Sequence, residues 1–281
     1  MRPITVLEAL NQAQGTIDKT DARMLLQHAL NLSHAMLIAH LDHELSAEQA
    51  RHFAELWERR AQGEPIAYLT GEREFYSLDF KVTPAVLIPR PETELLVDLA
   101  LGCLPVDRTV NMLDLGTGSG AIALAIARHR PLARIFAVDA SRDALAVARS
   151  NAENLNIHNV RIVQGDWFDG LAEERFDLIV SNPPYVANGD PHLRQGDLRF
   201  EPSMALTDGG DGLGCLRSII GSAPAHLAAG GVLMVEHGYD QAFICGQLLK
   251  DAGFTKIFSC PDLAGIVRVS GGTGQFQLEN E

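Results

Sequence analysis

The chain lacks most of the features that would take it out of an ordinary aqueous interior. No apolar run approaches the roughly 18 residues of a membrane helix, so no span is expected. The N-terminus, "MRPITVLEALNQ", has no signal-peptide core and is already amphipathic. The four cysteines, Cys103, Cys215, Cys245 and Cys260, are scattered, with no Cys-x-x-Cys pair. That argues against a disulfide frame or a cysteine zinc site and suits reduced thiols in a cytosol. Histidines are present, but His40 and His43 fall among apolar helical positions, and no metal site is expected. Positive charge is scarce: 23 Lys and Arg face 36 Asp and Glu, a net charge of -13. Nucleic-acid binders need a basic face to neutralise phosphates. No Lys/Arg-rich stretch supplies one here, so the balance favours a protein or small-molecule partner.

What is present is a chain of 281 residues with 46% hydrophobic and 21% charged content, long enough for one large domain or two. Residues 4–62 carry helical periodicity and no strand signal. "TDARMLLQHAL" and "SHAMLIAHLDHEL" read as short helices. "SAEQARHFAELWERRAQG" opens on a capping box, Ser46 with Gln49, and closes near Gly63. The pattern then changes. "EFYSLDFKV" alternates as a strand or hairpin, and Pro91 in "IPRPETELLVDLAL" suits a first helical turn. From about residue 110, nearly continuous apolar strands alternate with helices. This predicts a parallel α/β sheet covered on both faces, with an antiparallel finish where the last two strands lie close in sequence.

Two segments carry chemistry. "DLGTGSGA" at 114–121 follows the first of these strands and opens a helix. Its glycines let the backbone turn sharply and let a ligand approach, beside the free N–H groups of a helix start. Asp139 ends the next strand, 19 residues after Gly120, where a carboxylate can accept from the ribose hydroxyls of an adenosine cofactor. Gly116, Gly118 and Ala121 also satisfy a dinucleotide fingerprint, so the loop alone does not choose between NAD and S-adenosylmethionine. "GDWF" at 165–168 adds an acid and an aromatic, Trp167, able to stack on adenine. The other segment is "SNPPY" at 181–185, closing the strand "RFDLIV". Each proline fixes its own φ and holds the preceding residue extended. Strand ends in such a sheet face the ligand crevice, so Asn182 shares the crevice with the glycine loop. The Asn182 oxygen and the Pro183 carbonyl are two rigid acceptors suited to a planar NH₂ group, with Tyr185 as a flat wall. They would orient the nitrogen lone pair at a sulfonium methyl and stabilise positive charge growing on nitrogen.

These segments, with "GEREFYSLDFKVTPAVLIPRPETELLVD" and "DPHLRQGDLRFEPSMAL", resemble the bacterial peptide-chain release factor glutamine N5-methyltransferases over about residues 60 to 265. The resemblance implies a seven-stranded, Rossmann-like class I methyltransferase sheet at 91–281, a β-hairpin linker at 73–90 and a helical substrate-recognition domain at 1–72. It implies S-adenosyl-L-methionine as cofactor, held by Gly116, Thr117, Gly118, Ser119, Gly120, Asp139, Trp167 and Asn182. Catalysis is implied for Asn182, Pro183 and Tyr185. Substrate binding is implied for those residues with Pro184, Phe75, Arg90, Glu201 and Pro202. Arg90 and Glu201 read equally well as a structural ion pair. The implied substrate is the glutamine of the Gly-Gly-Gln loop in class-1 release factors, methylated by a cytoplasmic monomer without direct nucleic-acid or membrane contact. Methylation of adenine N6 in DNA or RNA is the enzymatic alternative, a pure binding module the non-enzymatic one, and an NAD-dependent dehydrogenase a more distant reading. The loop 186–210 is long for a compact domain and is expected to help bind the target loop. After "DLAG" the chain departs from the family, with Ile266 and Val267 where a polar or basic residue is expected.

Overall fold

The structure is a computed structural model and describes residues 3–274. The tail "QFQLENE" lies outside the described residues. The chain divides into two compact units. One holds the residues up to Glu72 together with Arg194–Phe200; the other holds Arg73–Leu193 and the residues from Glu201 on.

The first unit is helical: α1 (Val6–Ala13), α2 (Lys19–Leu30), α3 (His34–Ala39), α4 (Ala47–Ala61) and α5 (Ile66–Thr70). Thr5 with Glu8, and Ser46 with Gln49, form capping boxes that satisfy backbone N–H groups at the starts of α1 and α4. α3 is shorter than its apolar sequence suggests. It stops at Ala39, and His40 leaves the helical region at φ -126°. Val6, Leu10, Leu25, Leu26, Leu37, Phe53 and Leu56 form the unit's core. Arg60 binds Asp21 at 2.7 Å and Asp197 at 3.1 Å, and Arg199 donates to the Gln62 carbonyl. Those bonds draw the sequence-distant segment 194–200 into this unit.

The second unit opens on a hairpin, β1 (Glu72–Phe75) and β2 (Leu78–Lys81). Tyr76 and Ser77 both have positive φ, as a two-residue hairpin turn of the primed type demands. The Tyr76 backbone N–H donates to Glu94 and its hydroxyl to Asp98, contacts that offset an unfavourable conformation for side-chain-bearing residues. α6 (Glu94–Cys103), β3 (Asn111–Leu115), α7 (Ala121–His129), β4 (Arg134–Asp139), α8 (Arg142–Asn154), β5 (Val160–Gln164), β6 (Phe176–Ser181), α9 (Gly214–Ser222), β7 (Leu227–Glu236), α10 (Ala242–Asp251), β8 (Thr255–Pro261) and β9 (Val267–Thr273) complete it. Pro91–Thr93 form a 3₁₀ turn leading into α6.

The seven-stranded sheet has the order β5-β4-β3-β6-β7-β9-β8. All neighbours are parallel except β9, which is antiparallel to both β7 and β8. Ile266 and Val267, the departure from the family pattern, enter this last hairpin without breaking it. Side chains alternate between the two faces of the sheet. Met112, Leu178, Val180 and Met234 pack with α6 and α7 on one face; Leu113, Leu115, Ile179, Leu233 and Val235 pack with α9 and α10 on the other. Continuing each alternation toward the strand ends places Asp114, Asn182 and Glu236 on the α6 side. Polar groups thus succeed apolar ones at the carboxyl edge, where such sheets bind ligands.

Candidate active site

At that edge lies a cavity of about 310 Å³, within the roughly 300–1,000 Å³ of small-molecule sites. Gly116, Gly118, Val138, Asp139, Trp167 and Asn182 line it, with Pro184, Pro202 and the segment Ala85–Leu87. The glycine loop is shaped by its own sequence. Gly116, Gly118 and Gly120 all have positive φ, which side-chain-bearing residues adopt only with strain. A Cβ at Gly118 would meet nothing within 4 Å, so this loop leaves a ligand room, whereas one at Gly120 would press on Leu124 at 3.0 Å and Ala148 at 3.3 Å. Gly118 therefore serves the cavity and Gly120 the packing of α7.

Asp139 accepts from the Gly118 N–H at 2.8 Å and the Ser141 N–H at 2.9 Å. Burial pushes its carboxyl pKa up, while these N–H groups pull it down. Each oxygen keeps a second lone pair for a ligand hydroxyl. Trp167 holds positive φ, a strained state for a bulky residue, and its ring would stand 3.6 Å from a Cβ at Gly116. It forms a flat wall beside the glycine turn. Glycines that admit close approach, a carboxylate at the end of the second parallel strand and a flat aromatic wall fit an adenosine-bearing cofactor.

Asn182 follows β6, and its Nδ2 donates to the Thr93 hydroxyl at 3.1 Å. Among the described residues no hydrogen bond engages its Oδ1 or the Pro183 carbonyl; Asn182 lines the cavity, and Pro183 follows it in the chain without lining it. The Ser181 hydroxyl, donating to the Leu115 carbonyl at 2.8 Å, ties the ends of β6 and β3 together beneath them. Gln241 donates to the carbonyls of Tyr185 and Gly212 and fixes the far side of the turn.

Several expected site residues stand elsewhere. The Thr117 hydroxyl turns inward to Asp114 at 2.6 Å, and the Ser119 carbonyl accepts from the buried Asn151. Thr117, Ser119 and Gly120 shape the loop without lining the cavity. Phe75 also does not line it: it is 1% exposed and meets Phe80 edge-on in the core, because apolar ring area is best buried there. Arg90 and Glu201 pair with each other, and Glu201 also accepts from the Ile88 N–H at 3.0 Å, so they anchor the 88–90 segment. The Tyr185 ring packs on the core behind α9, and its hydroxyl faces Glu236 at 3.3 Å. Pro183 is buried, so its ring does not line the cavity.

Asp114, Thr93 and Glu236 are buried polar groups near this edge that are not among the expected site residues. Asp114 is fully buried, and burial pushes its carboxyl up to about 7 against the Thr117 hydroxyl, which acts the other way. Burial likewise raises Glu236 to about 7, opposed by the hydroxyls of Thr93 and Tyr185. The available signal was an acid within or at the end of an apolar strand, in "MLDLG" and "LMVEHG".

Residues 93–213 match the family described as Methyltransferase small domain, and residues 6–71 match the one described as PrmC N-terminal domain. The fold is shared with a methyltransferase from Pyrococcus furiosus at a TM-score of 0.56, with 19% identity over 79% of this chain and 100% of that one. It is shared too with a Thermus thermophilus 16S rRNA N2 G1207 methyltransferase at 0.54, with 21% identity over 73% and 50%. Fold and family matches together define a class I methyltransferase, whose cofactor is S-adenosylmethionine. Over 96% of both chains the sequence is 50% identical to the release factor glutamine methyltransferase of Burkholderia pseudomallei, and over 94% and 95% it is 45% identical to that of Escherichia coli. The chain belongs to the release factor glutamine methyltransferase family.

Proposed function

We propose that this chain methylates the side-chain amide nitrogen of the glutamine in the Gly-Gly-Gln loop of class-1 release factors. The observation that carries the reading is the unengaged acceptor Asn182 Oδ1 on a residue lining a cavity suited to S-adenosylmethionine, with the unengaged Pro183 carbonyl next to it in the chain. When bound, that cofactor supplies an electrophilic methyl group on a sulfonium sulfur. Gly116, Gly118, Asp139 and Trp167 hold it at the carboxyl edge of the sheet.

An amide nitrogen is a weak nucleophile because its lone pair is delocalised into the carbonyl. Asn182 and Pro183 accept its two N–H bonds, turn the lone pair toward the methyl group and stabilise positive charge growing on nitrogen. The methylated nitrogen then gives up a proton to solvent, so no strong base is required. Loop 186–210, which contributes Pro202, Met204 and Thr207 to the cavity wall, helps to seat the target loop. The chain acts as a cytoplasmic monomer without direct nucleic-acid contact. The net charge of -13 supports a protein target over a polyanion. No described helix is long and apolar enough to cross a membrane.

The test offers the purified chain labelled S-adenosylmethionine with a release factor, the same factor with its Gly-Gly-Gln glutamine replaced, and duplex DNA. Label is expected on the first alone. Label on DNA or on the substituted factor contradicts the reading.

A further inference from the structure

Glu236 closes β7, is 1% exposed and has no assigned task. Its Oε1 faces the Tyr185 hydroxyl at 3.3 Å, while Oε2 is buried with no hydrogen-bond partner of ordinary geometry. The Thr93 hydroxyl lies near enough to the carboxyl to favour its charged form. The cations that act on Glu236 and Tyr185 are committed elsewhere: Arg268 binds Asp262 at 3.2 Å, and Arg90 binds Glu201. Glu92 adds like charge. A carboxyl buried without a bonded cation is costly, so packing alone does not account for it.

The sheet explains where it sits. Ser181 on β6 stands beside Val235 on β7, so Asn182 and Glu236 are the next neighbours, and alternation turns both toward the start of α6, where Thr93 waits. Thr93 Oγ1 accepts from Asn182 Nδ2 at 3.1 Å. A hydroxyl has one hydrogen to give, and with Asn182 donating to it, that hydrogen is free for the carboxyl. The sense of this chain decides which end of the Asn182 amide looks into the cavity. With Nδ2 held by Thr93, Oδ1 is presented to the substrate. A flipped amide would set an NH₂ against the substrate's NH₂, donor against donor.

We propose that Glu236 is a positioning residue whose carboxyl accepts from Thr93 and Tyr185 and, through Thr93, keeps the Asn182 oxygen aimed at the substrate amide. This rests on the methyl-transfer reading above. The test compares the full-length chain with Glu236→Leu and Thr93→Val, which break the relay, and with Glu236→Gln and Thr93→Ser, which keep an acceptor and a hydroxyl. The breaking variants are expected to lose roughly 10- to 100-fold in kcat toward a release factor, with S-adenosylmethionine affinity within about threefold of wild type. The conservative variants should keep most of the activity, and the double breaking variant should fall no further than the worse single one. A wild-type chain that labels no release factor overturns the functional reading and this inference with it. An active wild type whose breaking variants keep full kcat overturns the inference alone. So does a parallel loss of cofactor affinity, an equal loss in the conservative variants, or additive losses. If Glu236→Leu does not fold, Thr93→Val and Thr93→Ser carry the same comparison.

Discussion

Asn182 is where sequence, backbone and chemistry meet in one residue. Its position after an apolar strand and before two prolines identifies a rigid acceptor from sequence alone. What the sequence does not display is the partner that sets its direction, because Thr93 lies 89 positions away in the chain, at the start of α6. Asn182→Ala is expected to lower kcat by about 10²- to 10³-fold, the effect of losing one preorganised polar contact. Circular dichroism should show the fold intact, and near-normal turnover would remove Asn182 from its role. The buried acids make a second prediction at this scale. Glu236 is raised from 4.5 to about 7. A carboxyl with a raised folded pKa contributes stability that is fully present below its unfolded pKa and is lost as pH rises through the folded one. Glu236→Gln removes that titration while keeping shape and an acceptor. Relative to wild type it should gain on the order of 2–3 kcal/mol in denaturant stability between pH 4.5 and pH 7. A pH-independent difference would contradict the buried, proton-binding state of Glu236.

The glycine loop shows how much an element reveals in sequence and where it stops. Its glycine spacing announces a tight strand-to-helix turn and a ligand site, and the structure bears out the turn. The spacing does not say which glycine serves which purpose, since that depends on neighbours from α7 and α8. Gly120→Ala forces a Cβ against Leu124 and Ala148 at positive φ, so it should cost about 1–3 kcal/mol in thermal or denaturant stability. Gly118→Ala meets nothing within 4 Å. It should chiefly weaken S-adenosylmethionine binding, measured by calorimetry, with a smaller cost from backbone strain of roughly 1 kcal/mol. The reverse ranking would contradict the division of labour. Phe75, Arg90 and Glu201 show the opposite limit. Their motif is legible, but whether a motif residue faces the cavity or braces the wall is settled by burial and pairing that sequence spacing does not carry. Thr117 teaches the same: its hydroxyl turns from the cavity to satisfy Asp114.

At the scale of the whole molecule, composition narrowed the target and topology built the site. The alternation of strands and helices announced the sheet, and the short last connection announced its antiparallel finish. The grouping of 194–200 with the helical unit was not legible, because it depends on pairing across more than a hundred residues, as in Arg60 with Asp197. A net charge of -13 gives the surface little to hold a polyanion. Excess duplex DNA at physiological salt should therefore leave KM for the release factor unchanged within about twofold. Strong competition would mean that a basic channel outweighs the global balance. A crystal structure of the chain with S-adenosylhomocysteine and a Gly-Gly-Gln peptide would show whether the rigid turn at 182–185 grips the glutamine amide through two acceptors. The glutamine nitrogen is expected within hydrogen-bond distance, about 3 Å, of both Asn182 Oδ1 and the Pro183 carbonyl. An amide nitrogen seated away from both acceptors would contradict it.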